Sequence, residues 1–269
     1  YEINRCLVGS EMCIRDSGYN KSNESSQKTI FFQIIPIIRK YMFWNKKYNY
    51  PSSSRAMEGG IRRYLLGEVK LPGVTSILDA TKSNEEKAAL ENWKERTGHK
   101  ESEEIVKAAS SRGSKMHNYL ETYLLGRENL SFFEESEQYK LMAKEIIEKG
   151  LKNRLEEIWG VECTLHYPEK YAGTADCVGI YEGRESIIDF KQSNMPKKTE
   201  YIDSWLLQTA AYSLAHNVVY NSNITSCVIL VCTVDKLFQE FKIRDTELIT
   251  YQNLFLGRLK KFNEISNLI

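Results

Sequence analysis

A chain of 269 residues, 42% of them hydrophobic, is long enough for one large domain or two small ones and can fill a sizeable core. Its net charge of +1 excludes a protein that holds nucleic acid by bulk charge alone, so any such binding needs a local basic patch. Six cysteines with no CxxC pair exclude the usual zinc and iron–sulfur spacings, and four of them lie in apolar stretches as expected of reduced core thiols.

Residues 1–56 differ from the rest: they carry nine Lys or Arg against four Asp or Glu, whereas the remainder is slightly acidic. The string Cys6 to Ser17 resembles a translated sequencing adapter. The apolar run Ile30 to Trp44 is interrupted by Gln33, Pro36, Arg39 and Lys40, and falls short of the roughly 20 apolar residues a spanning helix needs. No clear small-residue cleavage site follows it. Residues 1–56 are therefore expected to be a disordered or non-native extension, with the native start at Met57.

Turn signals at Gly67 and at Pro72-Gly73 predict a small hairpin over residues 61–71, followed by a short helix over 74–80. A polar helix is predicted over 84–97, capped by Ser83 or Asn84 and stopped by Gly98. Another spans 102–125 with a break near 110–113. Ile147, Leu151, Leu155 and Ile158 recur at helical spacing and predict one long helix over 132–159. Strands are predicted over 161–167, 173–181 and 184–191, the last two joined by Glu182-Gly183. A helix over 201–217, a buried strand over 226–234, a strand over 237–243 and a helix from Asp245 to about residue 265 complete the chain. The order predicts an α/β or α+β fold around a central mixed sheet.

The residues that carry chemistry lie on the predicted hairpin. Asp is disfavoured in strands, yet Asp176 and Asp189 both sit among apolar neighbours. A two-residue turn at Glu182-Gly183 sets a register in which the two carboxylates lie directly opposite each other, where like charges repel unless a cation separates them. Asp189 and Lys191 share a strand face. Two acids and a lysine so placed suit phosphodiester hydrolysis: the acids hold a hard divalent cation, the cation activates water, and the lysine stabilises the developing charge. The alternative is a salt-bridge ladder. Glu162 is a candidate further ligand from the neighbouring strand. Ser193 is a candidate phosphate contact, and Arg112, Lys115, Lys197 and Lys198 a basic path to the metal. Tyr119, Tyr123, Tyr167 and Tyr171 are candidate base-stacking rings.

Asp176 followed by Asp189-Phe190-Lys191 resembles the signature of the PD-(D/E)xK nuclease superfamily. The flanking pieces resemble its RecB-like branch, which includes phage and organellar exonucleases. Arg112-Gly113-Ser114-Lys115-Met116-His117 with Glu121 resembles that branch's histidine helix. Asp189-Phe190-Lys191-Gln192-Ser193 resembles its Asp-aromatic-Lys-Thr-Ser segment, and Gln208-Thr209-Ala210-Ala211-Tyr212 its Gln-x-x-x-Tyr helix. Pro72-Gly73-Val74-Thr75 resembles its early Pro-Ser-Val-Thr segment. Gln192 and Gly73 depart from these patterns.

The resemblance implies a restriction-endonuclease-like core, a central mixed β-sheet flanked by helices, with an N-terminal helical segment. Residues 57–125 would form a hairpin and helical arch, and 126–269 the nuclease core. It implies a Mg²⁺- or Mn²⁺-dependent DNA exonuclease. Asp176 and Asp189, with His117 and Glu162, would hold the metal, and Lys191, Gln208 and Tyr212 would complete the catalytic set. The expected partner is single-stranded DNA, with no membrane association, a monomeric state, and a place in phage-infected bacterial cytoplasm ahead of the mitochondrial matrix. A non-catalytic DNA-binding module and an endonuclease of the same superfamily are the alternatives.

Overall fold

The computed structural model describes residues 43–127 and 137–266. Most of the expected extension, residues 1–42, lies outside the described residues, as do the first residues of the helix predicted over 132–159.

The described chain forms a mixed α/β fold. Its six-stranded sheet runs in the order β1 (Phe43–Trp44), β5 (Leu155–Tyr167), β6 (Tyr171–Tyr181), β7 (Arg184–Ser193), β8 (Ser226–Thr233), β9 (Phe238–Arg244). β1 and β8 join parallel to their neighbours β5 and β7, and the other pairings are antiparallel. A separate three-stranded meander consists of β2 (Ser54–Glu58), β3 (Ile61–Leu66) and β4 (Val69–Pro72). The helices are α1 (Val74–Ala80), α2 (Asn84–Thr97), α3 (His99–Leu124), α4 (Gln138–Ile146), α5 (Asp203–Tyr220) and α6 (Asp245–Ser266).

Strand alternation sends side chains to two cores, one on each face of the sheet. On one face, Met116, Leu120 and Leu124 of α3 and Met142 and Ile146 of α4 pack against Ile188 and Val228. On the other, Leu206 and Ala210 of α5 and Phe255 and Leu259 of α6 pack against Ile187 and Ile229. Every residue of β8 is buried, which is why its sequence is apolar from Cys227 to Cys232 and rich in β-branched residues. Cys163, Cys177, Cys227 and Cys232 are free, buried thiols.

The start of α2 follows its sequence signal. Ser83 accepts from the Glu86 N–H while Glu86 returns a bond to the Ser83 N–H, a complete capping box. The β6–β7 turn also matches: Glu182 and Gly183 both have positive φ, as a two-residue hairpin turn requires. α3 runs unbroken through Ser110–Gly113.

Two expectations are overturned. The helix predicted through residue 159 ends in a π-turn at Ile147–Leu151, and Leu155 and Ile158 belong to β5. Register shifts at 155–157 and 158–160 break the strand's alternation, so its apolar residues imitate a helical spacing. The boundary at Met57 is also wrong. β1 pairs with β5, and the Trp44 indole donates to the Leu124 carbonyl at 2.8 Å. Tyr48 and Tyr50 pack on Trp159, His216 and Tyr220, and β2 is the first strand of the meander. Residues 43–56 are thus part of the domain.

The feature that positions the site is a fork in the sheet. The β6–β7 ladder runs from Tyr181–Arg184 to Cys177–Ile188 and ends there. Beyond it β6 continues beside β5 as far as Tyr167–Tyr171, while β7 continues beside β8 as far as Ser193–Thr233. Asp176 and Asp189 lie just past the last shared pair.

Candidate active site

The predicted register of β6 and β7 is observed, but the ladder stops one pair short of Asp176 and Asp189. Instead, the Phe190 N–H donates to Asp176 Oδ2 at 2.7 Å, so the carboxylate takes the place of the missing strand partner. The acid level with Asp176 across a strand pair is Glu162, which falls between the pairs Val161–Cys177 and Cys163–Ala175. Glu162 has a left-handed backbone, φ 48°, uncommon for a non-glycine residue and a local distortion at the site.

α3 supplies the third member. Its core-facing Met116 and Leu120 fix the helix on the sheet, which turns His117 and Glu121 toward the fork. His117 Nδ1 lies 3.4 Å from Asp176 Oδ1. Ligand atoms of His117, Glu162 and Asp176 all fall within 4.8 Å of one another. Two carboxylates and an imidazole in that space fit a divalent cation with oxygen and nitrogen ligands.

The electrostatics agree with that fit. Glu162 is exposed at the cleft mouth, but protein atoms crowd its carboxylate, and that loss of solvent together with Asp176 pushes it up to about 7. Burial opposes charge on His117, but Asp176 outweighs burial and lifts the imidazole to about 8. Burial also opposes charge on Asp176, yet His117, Lys191 and the Phe190 N–H hold it below the usual carboxylate value. Asp189 is buried, and burial followed by Asp176 raises it against the pull of Lys191. Lys191 Nζ lies 2.6 Å from Asp189 Oδ2. Despite the cost of burial, Asp189 and Asp176 keep the lysine's pKa above its ordinary value.

These shifts give a testable sign. Glu162 and His117 both have pKa values raised above their unfolded values. Their stabilising contribution is therefore full at low pH and is lost as pH climbs from about 4.5 to 7 for Glu162 and from about 6.5 to 8 for His117. A cation held there would displace both protons and replace their effect. Melting temperature without metal should fall between pH 5 and pH 8, the rise produced by Mn²⁺ should grow over the same interval, and Glu162→Gln should flatten the lower half of the slope. A metal-free melting temperature that rises steadily across this interval in the parent and not in Glu162→Gln would contradict the assignment.

The cleft over the fork has a volume of about 390 Å³. Gln208 and Tyr212 of α5 line it, and the Gln208 amide donates to the Tyr212 hydroxyl at 3.1 Å. Gly173 is required beneath Tyr212, since a Cβ there would meet the ring at 2.4 Å. Arg55, Arg62 and Tyr64 of the meander form the opposite wall, and Arg55 donates to Thr174 Oγ1 at 2.8 Å.

Over 208 residues, 72% of this chain, the sequence is 31% identical to mitochondrial genome maintenance exonuclease 1 of Mus musculus and 29% identical to that of Homo sapiens. The chain is a homologue of these exonucleases. The matched region covers 59% and 58% of their lengths, so it spans about three-fifths of the relatives it matches. No family model matches. A crystal structure of an alkaline exonuclease from Laribacter hongkongensis aligns with TM-score 0.35 and 14% identity over 72% of this chain and 91% of the other, a score too low to compare sites.

Among the residues singled out from sequence, His117, Glu162, Asp176, Gln208 and Tyr212 meet in the cleft. Asp189 is buried and Lys191 partly buried; they form an ion pair and are not among the residues that line the cleft. Arg112 is held by Gln192 at 3.0 Å and by Asn194. The departure at Gln192 therefore docks α3 onto the end of β7. Gly73 leaves room where a Cβ would press on the Arg62 carbonyl at 3.2 Å. Ser193 is not a free phosphate contact: it is buried, and its hydroxyl donates to the Met195 carbonyl. Lys115, Lys197 and Lys198 do not line the cleft, and Lys198 pairs with Glu200 at 3.8 Å. Tyr119 and Tyr171 are core residues and cannot stack on bases. Arg55, Arg62 and Tyr64 were missed because they reach the site only through the packing of the meander on β6. The Gly73–Ala172 bridge marks that contact.

Proposed function

We propose that the protein is a divalent-metal-dependent DNA exonuclease acting on single-stranded ends. The observation that carries this is the His117–Glu162–Asp176 cluster with the Lys191–Asp189 pair on the adjoining strand β7, in a chain homologous to exonucleases. His117, Glu162 and Asp176 would hold Mg²⁺ or Mn²⁺, with Asp189 as the further ligand on the adjoining strand. When bound, the cation supplies Lewis-acid polarisation of the phosphate and a water of lowered pKa.

The chain's own groups do the remainder. Lys191, kept charged by Asp189, stabilises negative charge developing on the phosphate. Tyr212 and Gln208, bonded to each other on the cleft wall, orient the phosphate by donating hydrogen bonds. Arg55 and Arg62 face the incoming strand. α2 and α3 extend this surface. α2 buries none of its residues, and a groove of about 840 Å³ between the two helices, lined by Trp93, Lys94 and Lys107, runs to Ser110 and Ser111 next to the cleft residue Gly113. Phage or organellar DNA processing is the setting that fits such an activity. Among the described residues no helix is long and apolar enough to cross a membrane.

A free single strand bends into such a groove, whereas a duplex is stiff over about 150 base pairs. Linear single strands should therefore be degraded, blunt duplex poorly, and circular single strands hardly at all. Incubating linear and circular forms of one single-stranded sequence with Mg²⁺ checks this, and equal rates would replace threading with endonuclease action in an open cleft.

A further inference from the structure

Residues 43–55 build a second concave surface. A shallow hollow of about 540 Å³ lies between this segment and β5, walled by Trp44, Tyr48, Tyr50 and Trp159, with Lys46 and Arg55 at its edge. That volume is in the range of small-ligand sites, about 300–1,000 Å³. Arg55, Glu162 and Thr174 line both the hollow and the cleft, so the two form one surface that passes through the candidate metal ligand Glu162.

The rings are fixed before anything binds. Trp44 is tied to the Leu124 carbonyl at 2.8 Å, and the Tyr50 hydroxyl meets His216 Nε2 at 3.0 Å. The Tyr50 ring lies so close to Gly160 that a Cβ there would meet it at 2.5 Å. Tyr48 stands edge-on to Trp159 with centroids 5.4 Å apart. Trp44, Tyr48 and Tyr50 nevertheless remain only half-buried, leaving ring surface open. Lys46 is exposed and makes no ion pair among the described residues, although Lys47 beside it pairs with Glu185. Preordered aromatic faces beside an unpaired cation suit a stacked base with its phosphate, because little side-chain freedom is lost on binding.

We propose that this hollow is a nucleotide subsite, taking the base and sugar of the nucleotide next to the scissile phosphate in a single strand. The proposal rests on the nuclease reading above and adds to it where the strand goes after passing the metal ligands.

The test measures binding of single-stranded oligonucleotides, each with one abasic position, by fluorescence anisotropy in the cleavage-deficient Asp176→Asn chain with Mg²⁺. One position should weaken binding by about five- to a hundredfold. Adding Trp44→Leu, or Ser52→Trp to fill the hollow from an exposed rim position, should remove that dependence and reduce the intact strand to the affinity of the abasic one. Trp44→Phe should retain it. Ser52→Trp keeps the test decisive if Trp44→Leu does not fold. Position-independent losses, or intact-strand binding unaltered by Ser52→Trp, overturn the subsite. Cleavage of the unmodified strand by the parent protein reports separately on the nuclease reading: if it persists the subsite alone falls, and if the parent neither binds nor cleaves, both fall.

Discussion

Asp176→Asn should reduce DNA cleavage by about a thousandfold or more, because a bound cation supplies several kcal/mol of transition-state stabilisation and each 1.36 kcal/mol is a factor of ten. Asp176 is the member of the cluster that touches most of the others: it faces His117 at 3.4 Å, lies level with Glu162 and accepts from the Phe190 N–H. Asn keeps an oxygen for Phe190 and loses the charge. Since His117 and Lys191 favour the ionised form of Asp176, the substitution should cost stability, about 1–3 kcal/mol for charged hydrogen bonds. That is tolerable in a domain whose total is about 5–15 kcal/mol. Asp189→Asn and Lys191→Ala should also abolish cleavage. Lys191→Ala carries a heavier folding penalty, about 3–5 kcal/mol, because it strands the buried Asp189 carboxylate. Time courses on end-labelled DNA, paired with thermal melts, check all three. Full activity in Asp176→Asn would remove this residue from the mechanism.

A chain starting at Met57 should fail to fold or should aggregate. It would lose β1, most of β2, and the rings of Trp44, Tyr48 and Tyr50. Removing one buried aromatic side chain costs about 3–5 kcal/mol. Three half-buried ones, together with two strands' pairings, approach the whole stability of a typical domain. The truncation would also uncover Trp159 and His216. His216 is fully buried and held near pKa 4 by burial, with Lys47 adding to the effect. A chain starting at residue 43 should fold. Circular dichroism and size exclusion of the two truncations decide the matter, and a cooperative melt of the Met57 chain near that of the longer one would show that residues 43–56 are dispensable.

What was legible in the sequence was local. The Ser83–Glu86 cap, the Glu182-Gly183 turn and the buried β8 are each written in a few adjacent residues. The long helix was misread because bulges in β5 shift its apolar residues out of alternation. Residues 43–56 were misjudged because Tyr48 and Tyr50 find their ring partners Trp159 and His216 only through the tertiary fold. At the site, the hairpin register was correct, but the fork that ends it depends on β8 drawing β7 aside. The turn between Tyr167 and Tyr171 does carry a signal for the site, since counting back from it brings Glu162 level with Asp176. Arg55 and Arg62 had no such signal, since only the packing of the meander on β6 brings them to the cleft.

If a cation held by His117, Glu162 and Asp176 drives hydrolysis of DNA, removing it must stop the reaction. Chelator-treated protein is incubated with end-labelled linear single-stranded DNA, first in EDTA and then with Mg²⁺ or Mn²⁺ in excess, with Asp176→Asn alongside. This role for the cation predicts no cleavage in EDTA, release of short products on adding either metal, and none in the variant. Equal cleavage with and without metal, or none from the folded parent under either metal, would contradict it.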